Sequence, residues 1–143
     1  MKIRFSIASI TFIIIQFFSL TSPAYAAASF WTGLQTIKLT SLGMHQFSYN
    51  PIQLGHTIPA GAKIHRIEAH MEGDQIDRIA SQTYVCWNGT TQCVQMYGKH
   101  LTTRFFNDFD ASKPIYVVVR VDNFGGLYPP AFSPTSVTVY YTY

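Results

Sequence analysis

The chain has 143 residues, 48% of them hydrophobic and only 12% charged, with ten basic side chains against seven acidic ones. Two of the basic residues, Lys2 and Arg4, fall in a predicted leader; without them eight basic residues face seven acidic ones. A domain this close to neutral lacks the electrostatic footprint of a nucleic-acid or anionic-lipid binder, so no nucleic-acid partner is expected.

Residues 1–26 read as a secretory signal peptide. Lys2 and Arg4 form a positive start, Ile7–Leu20 is apolar and uncharged, and Ser22-Pro23 breaks the run. Ala24-Tyr25-Ala26 then supplies the small residues of a cleavage site. The apolar run is shorter than the roughly 20 residues of a membrane span, so cleavage after Ala26 and no stable membrane insertion are expected. No cysteine follows the cut to carry a lipid. Export and the two cysteines agree on an oxidising compartment, for this signal the periplasm.

The expected mature chain, residues 27–143, is long enough for one domain with a modest core. Ala27–Gly33 reads as a loose start with Phe30 and Trp31 docked on something apolar. Gln35–Leu39 reads as a strand with Ile37 and Leu39 inward, and Met44–Tyr49 as a second. Ile52–Ala62, with Gly55, Pro59 and Gly61, reads as irregular. Lys63–Glu72 fits two periods. Ile64, Ile67 and Met71 suit a helix; Ile67, Ala69 and Met71 suit a strand with Arg66, Glu68 and His70 outward. Strand is preferred, because all that follows reads as β. Gly73–Gln82 reads as a connection with one helical turn.

Thr83–Trp87 and Gln92–Tyr97 are predicted to form a hairpin around Asn88-Gly89, a pair that tolerates the positive φ of tight turns. With Cys86 facing Cys93, directly opposite positions can reach disulfide distance. The spacing is not C-x-x-C, so the pair reads as a structural staple rather than a redox centre. Leu101–Phe106 reads as a short strand and Asn107–Pro114 as a turn cluster. Ile115–Val121 is the most β-prone run and is predicted to be central. Asn123–Pro134 reads as irregular, with two glycines and three prolines among Gly125, Gly126, Pro129, Pro130 and Pro134. Ser136–Tyr143 reads as a closing strand, and as a possible edge open to strand addition. Short strands separated by turn signals predict an all-β fold: a single small antiparallel β-sandwich or barrel-like domain.

No G-x-S-x-G, H-E-x-x-H or phosphate loop is present, and no enzymatic activity or cofactor is expected. The five histidines, His45, His56, His65, His70 and His100, show no spacing that forces metal ligation, and no metal is predicted. As a strand, Lys63–Glu72 would place His65 and His70 on opposite faces. Asp108 and Asp110 read as an Asx-rich turn rather than a calcium loop, and nothing marks Glu68 and Glu72 as an acid/base pair. Seventeen aromatic residues remain outside the leader, more than a small core can hide. Phe124, Leu127, Tyr128 and Phe132 lie in one apolar loop and are the predicted partner-binding residues.

The run Cys86-x6-Cys93-Val94, then Gly98, the strand Ile115–Val121, the turn Gly125-Gly126-Leu127 with a proline after it, and a final Ser-x-x-Val-x-Tyr strand resembles the flagellar FlhE family. The resemblance covers roughly Pro59–Tyr143. It implies an all-β periplasmic domain with no enzymatic role, working with the flagellar type III export apparatus. It further implies that the protein limits proton leak through the export gate and supports flagellar assembly and motility. The implied partner is the export-gate membrane protein or secreted flagellar subunits. The alternative is a periplasmic chaperone that binds those subunits through a sheet edge or the apolar loop.

Overall fold

A computed structural model describes residues 26–143. The expected signal peptide, apart from Ala26, lies outside the described residues. The described residues form eight strands: β1 (Ala28–Leu39), β2 (Gly43–Tyr49), β3 (Lys63–Met71), β4 (Ala80–Trp87), β5 (Cys93–Met96), β6 (His100–Thr103), β7 (Ile115–Asn123) and β8 (Ala131–Thr142). One short helix, α1 (Asp74–Arg78), precedes β4. The strands make two four-stranded antiparallel sheets, sheet A in the order β1-β8-β3-β6 and sheet B in the order β2-β7-β4-β5. This is an eight-stranded jelly roll, a member of the expected all-β sandwich class.

Alternation builds the core. Trp31, Ile37 and Leu39 of β1, Val137, Val139 and Tyr141 of β8, and Ile64, Ile67, Ala69 and Met71 of β3 point inward from sheet A. Val85 of β4 and Ile115, Val117, Val119 and Val121 of β7 answer them from sheet B. These β-branched and aromatic residues suit a pleated surface buried on one side.

The period conflict in Lys63–Glu72 has a structural cause. The register against β8 shifts between Ile64 and Arg66. A bulge spends one extra residue there, so Ile64 and Ile67, three apart, both face the core. The same bulge corrects the expectation for the histidines: His65 and Arg66 both turn away from the core, and His65 and His70 therefore share the outer side rather than opposite faces.

Four other segments depart from the sequence reading. Ala27–Gly33 is not a loose start, since β1 begins at Ala28. Gly33 faces the core, where a side chain would be expected, because Leu54 and Tyr49 fill its place: a Cβ on Gly33 would lie 2.8 Å from a carbon of each. The short strand expected at Leu101–Phe106 is His100–Thr103, and Phe106 lies beyond it in a turn, fully buried. Of the stretch Asn123–Pro134, Asn123 still belongs to β7, and the irregular part ends at Pro130. Pro134 is tolerated within β8 because its carbonyl accepts from Glu72 N at 2.8 Å, just past the end of β3. Its missing N–H faces that same side, so the ladder with β1 continues unbroken. Ser136–Tyr143 is not an edge: β8 is paired with β1 on one side and β3 on the other.

The turns β1–β2, β3–β4, β5–β6 and β7–β8 lie at one end of the sandwich, termed upper. The connections β2–β3, β4–β5 and β6–β7 lie at the lower end, where Ala27 and Tyr143 exchange backbone hydrogen bonds of 2.9 and 3.0 Å. Both tryptophans close the lower end on one loop. Trp87 Nε1 donates to Asp110 O at 2.9 Å and Trp31 Nε1 to Ala111 O at 3.2 Å. Trp87, Phe109 and Phe106 stack edge to face with ring centres 4.9 and 5.8 Å apart, worth about 0.5–1.5 kcal/mol per pair beyond area burial.

Candidate functional site

The predicted partner loop divides into two pairs. Phe124 and Leu127 are half-buried and packed on the core. They are held there by a tight turn: Leu127 N donates to Phe124 O at 3.0 Å and Gly125 N to Asn123 Oδ1 at 2.6 Å. Gly125 adopts φ 60° and lies so close to the Arg78 carbonyl that no side chain fits between them. Tyr128 and Phe132 are instead displayed. Tyr128 is 94% exposed, and Phe132 N is anchored by Gln75 Oε1 at 2.7 Å while its ring faces solvent. Leu42, in the β1–β2 turn, and Tyr97, in the β5–β6 turn, are also exposed at the upper end. Lys99 Nζ and Asp77 Oδ2, 2.8 Å apart, place an ion pair there. The upper end thus displays Tyr128 and Phe132, while Phe124 and Leu127 of the same loop pack on the core.

The cysteines lie at the lower end, away from that loop. Cys86 and Cys93 are directly opposed and disulfide-bonded. Trp87 N donates to Gln92 O at 3.0 Å, and Asn88 has φ 51° and Gly89 φ 134°, so the turn carries the positive φ values that its sequence suits. On the outer face of sheet B the disulfide forms part of the floor of an open apolar recess of about 250 Å³, lined by Met44, Tyr84, Cys86, Thr90, Cys93 and Val118.

The outer face of sheet A is more polar. The Arg66 guanidinium lies 4.0 Å from the Tyr140 ring centre, and Phe30 flanks the same ring at 5.8 Å. Arg66 Nε stands 3.1 Å from Glu68 Oε1, near enough for an ion pair but not aligned as a hydrogen bond. Tyr140 Oη donates to Glu68 Oε2 at 3.2 Å. Glu68 is thus engaged by these partners, and Glu72 is exposed beyond it.

The open edges are short or capped. β5 and β6 span four residues each. On β1, His56 Nε2 donates to Thr32 O at 3.1 Å, and Gln35 Nε2 donates to Ser48 O of β2 at 3.0 Å. Such side-chain caps discourage strand addition.

Asp108 and Asp110 form turns. Asp110 Oδ1 accepts from Ser112 N at 2.9 Å and from Ser112 Oγ at 2.7 Å. The hydroxyl first, and then the backbone N–H, hold its carboxyl below the usual range. Burial pushes the Tyr49 hydroxyl well above its ordinary value, although its bonds with Gln35 and Thr135 pull the other way. Among the described residues no group of three or more His, Cys, Asp or Glu side chains is arranged to hold a metal ion. The histidine contacts that the sequence could not supply are His45 on Ser41 O at 2.8 Å, His56 on Thr32 O, and His70 beside His100.

No known family profile matches the chain, and no curated protein matches it. Among solved structures, the crystal structure of FlhE superposes with a TM-score of 0.65 at 19% identity, covering 82% of this chain and 100% of that one. Two phage capsid structures, from cyanophage Pam1 and the Helicobacter pylori bacteriophage KHP30, superpose with TM-scores of 0.43 and 0.40 at 13% and 19% identity. They cover 99% and 76% of this chain and 94% of each of theirs, but at those scores they carry no argument. The fold is FlhE-like.

Proposed function

We propose that this chain is a non-enzymatic periplasmic accessory protein of the bacterial flagellum. In this reading it works beside the type III export apparatus and limits proton leak through the export gate. The observation that carries the reading is the FlhE-like fold over the whole of the FlhE chain. The ordered cysteine, glycine and closing-strand features that resemble the FlhE family support it, as does a disulfide suited to an oxidising compartment. Contact with the gate is made by the upper end, through Tyr128 and Phe132 on the Phe124–Leu127 anchor. Exposed aromatic side chains on a rigid support lose little entropy on binding and suit a hot spot.

The experiment is cytoplasmic pH after an external acid shift. It compares wild type, a strain lacking this gene, and a strain lacking both the gene and the export gate. Acidification in the single deletion, abolished in the double, is expected. A single deletion that holds its pH defeats the leak reading. The chaperone alternative then leads, through the apolar loop rather than through β8, whose two sides are already paired.

A further inference from the structure

The fold brings together two histidines thirty positions apart. His70 of β3 and His100 of β6 are directly opposed on the outer face of sheet A. Met71 N donates to Lys99 O at 2.8 Å, which makes that neighbouring pair the hydrogen-bonded one. His70 and His100 therefore occupy a non-hydrogen-bonded pair, where side chains come closest. Their ring centres are 5.7 Å apart. Two imidazoles bound to one tetrahedral ion by bonds of about 2.0–2.1 Å hold their ring centres roughly 5 Å apart. The observed separation is within an ångström of that, so side-chain rotation alone can aim both rings at one ion. Glu72 follows on the same face of β3, with Oε1 3.6 Å from His70 Nε2.

The surroundings favour a cation. On the β8 side His70 is opposite Ser136, and Thr102 follows His100 on β6, its Oγ1 3.2 Å from His100 Nε2. Along β3, Glu68 lies two residues before His70, already matched by Arg66. That leaves Glu72 as the carboxylate free to answer an added positive charge. β6 is an edge strand, so water can reach the open side of the pair.

We propose that His70 and His100 form a surface site for a transition-metal dication of the zinc, copper and nickel class. The two imidazoles are the ligands, Glu72 lies alongside, and water fills the remaining positions. Imidazole pairs select these ions over calcium and magnesium, which require more oxygen ligands. With two protein ligands the ion is exchangeable. Its effect is to tie β6, the four-residue edge strand, to β3. The pair lies toward the upper end of the outer face of sheet A, but the proposal does not rest on the contact proposed above.

The test is calorimetric titration of the tag-free mature chain with zinc chloride, repeated with nickel and copper salts. One ion per chain is expected, with His70→Ala and His100→Ala each weakening it by about tenfold or more, and His65→Ala leaving it unchanged. Neither ring contributes to the core, so both variants keep the fold, which a circular dichroism melt of each checks. Saturating zinc raises the Tm of the wild type and of His65→Ala, but not of His70→Ala or His100→Ala. The proposal is overturned by absence of binding up to about 1 mM of all three ions, or by equal loss of binding in His65→Ala.

Discussion

Opening the disulfide is the perturbation whose magnitude the structure fixes best. Cys86 and Cys93 close a loop with a sequence separation of seven. In the chain-entropy model, releasing a loop of about eight residues returns about 2.5 kcal/mol of freedom to the unfolded chain. For a domain of this size, 1 kcal/mol moves Tm by about 4 °C, so reduction lowers Tm by about 10 °C. The folded state should survive, because the hairpin is also held by the ladder of β4 against β7 and by Trp87 N on Gln92 O. The two cysteines are not equivalent. Cys86 is fully buried between sheet neighbours, whereas Cys93 is half-exposed. Cys93→Ser should approach the reduced protein in stability. Cys86→Ser additionally buries a hydroxyl that lacks the sulfur's partner and should cost about 1–2 kcal/mol more. The assay is a pair of thermal or urea melts with and without reductant, run on wild type and both variants. A reduced wild type that melts within a degree or two of the oxidised form would refute the entropy argument. A fully folded variant that has lost function in the acid-shift assay would instead return a redox role to the pair.

Other expectations follow from single contacts. Gly125→Ala meets the Arg78 carbonyl from a positive φ and should cost about 2–4 kcal/mol, whereas Gly126→Ala, with open space around it, should cost about 1 kcal/mol; equal melts would contradict the packing described. Tyr49→Phe removes a buried donor to Thr135 O and should cost about 1–2 kcal/mol in urea unfolding. Because the folded hydroxyl titrates above the unfolded one, Tyr49 stabilises the fold fully below the ordinary tyrosine value. Stability should fall as pH rises beyond that value, a slope that Tyr49→Phe removes. Asp110 has the opposite sign: its folded carboxyl titrates below its unfolded value, so its contribution is present above the ordinary carboxylate range and is lost as acid is added. Asp110→Asn keeps the turn acceptor and should flatten that acid limb of a stability–pH curve, and an unchanged limb would mean the Ser112 bonds are not felt.

The parts of the fold that were legible in the sequence are those governed by local chemistry. Asn88-Gly89 between two opposed cysteines announces a hairpin, and the run Ile115–Val121 announces a central strand, because turn geometry and β-branching act over a few residues. Gly33 and Pro134 misled for the same reason in reverse. Each looks like a breaker, yet Gly33 makes room for Leu54 and Tyr49, and Pro134 spends its missing donor where β3 has already ended. Those compensations come from residues far along the chain. So does the position of β8, which reads as an edge and is an interior strand. In the predicted contact loop, apolarity pointed to Phe124, Leu127, Tyr128 and Phe132 together, but only packing separates the two that support from the two that are displayed. The opposition of His70 and His100 depends on the β3–β6 register, which no spacing encodes.

The interior place of β8 governs when the molecule can exist at all. Among the described residues it follows the other seven strands, yet it is the bridge between β1 and β3. Until its twelve residues are available, sheet A is two unconnected fragments, and inward-facing Trp31, Ile37, Ile64 and Ile67 have no common layer to join. Such non-local closure is slow, on the order of milliseconds to seconds for all-β topologies. Closure of sheet A therefore waits on β8, and with it the completion of the core between the two sheets.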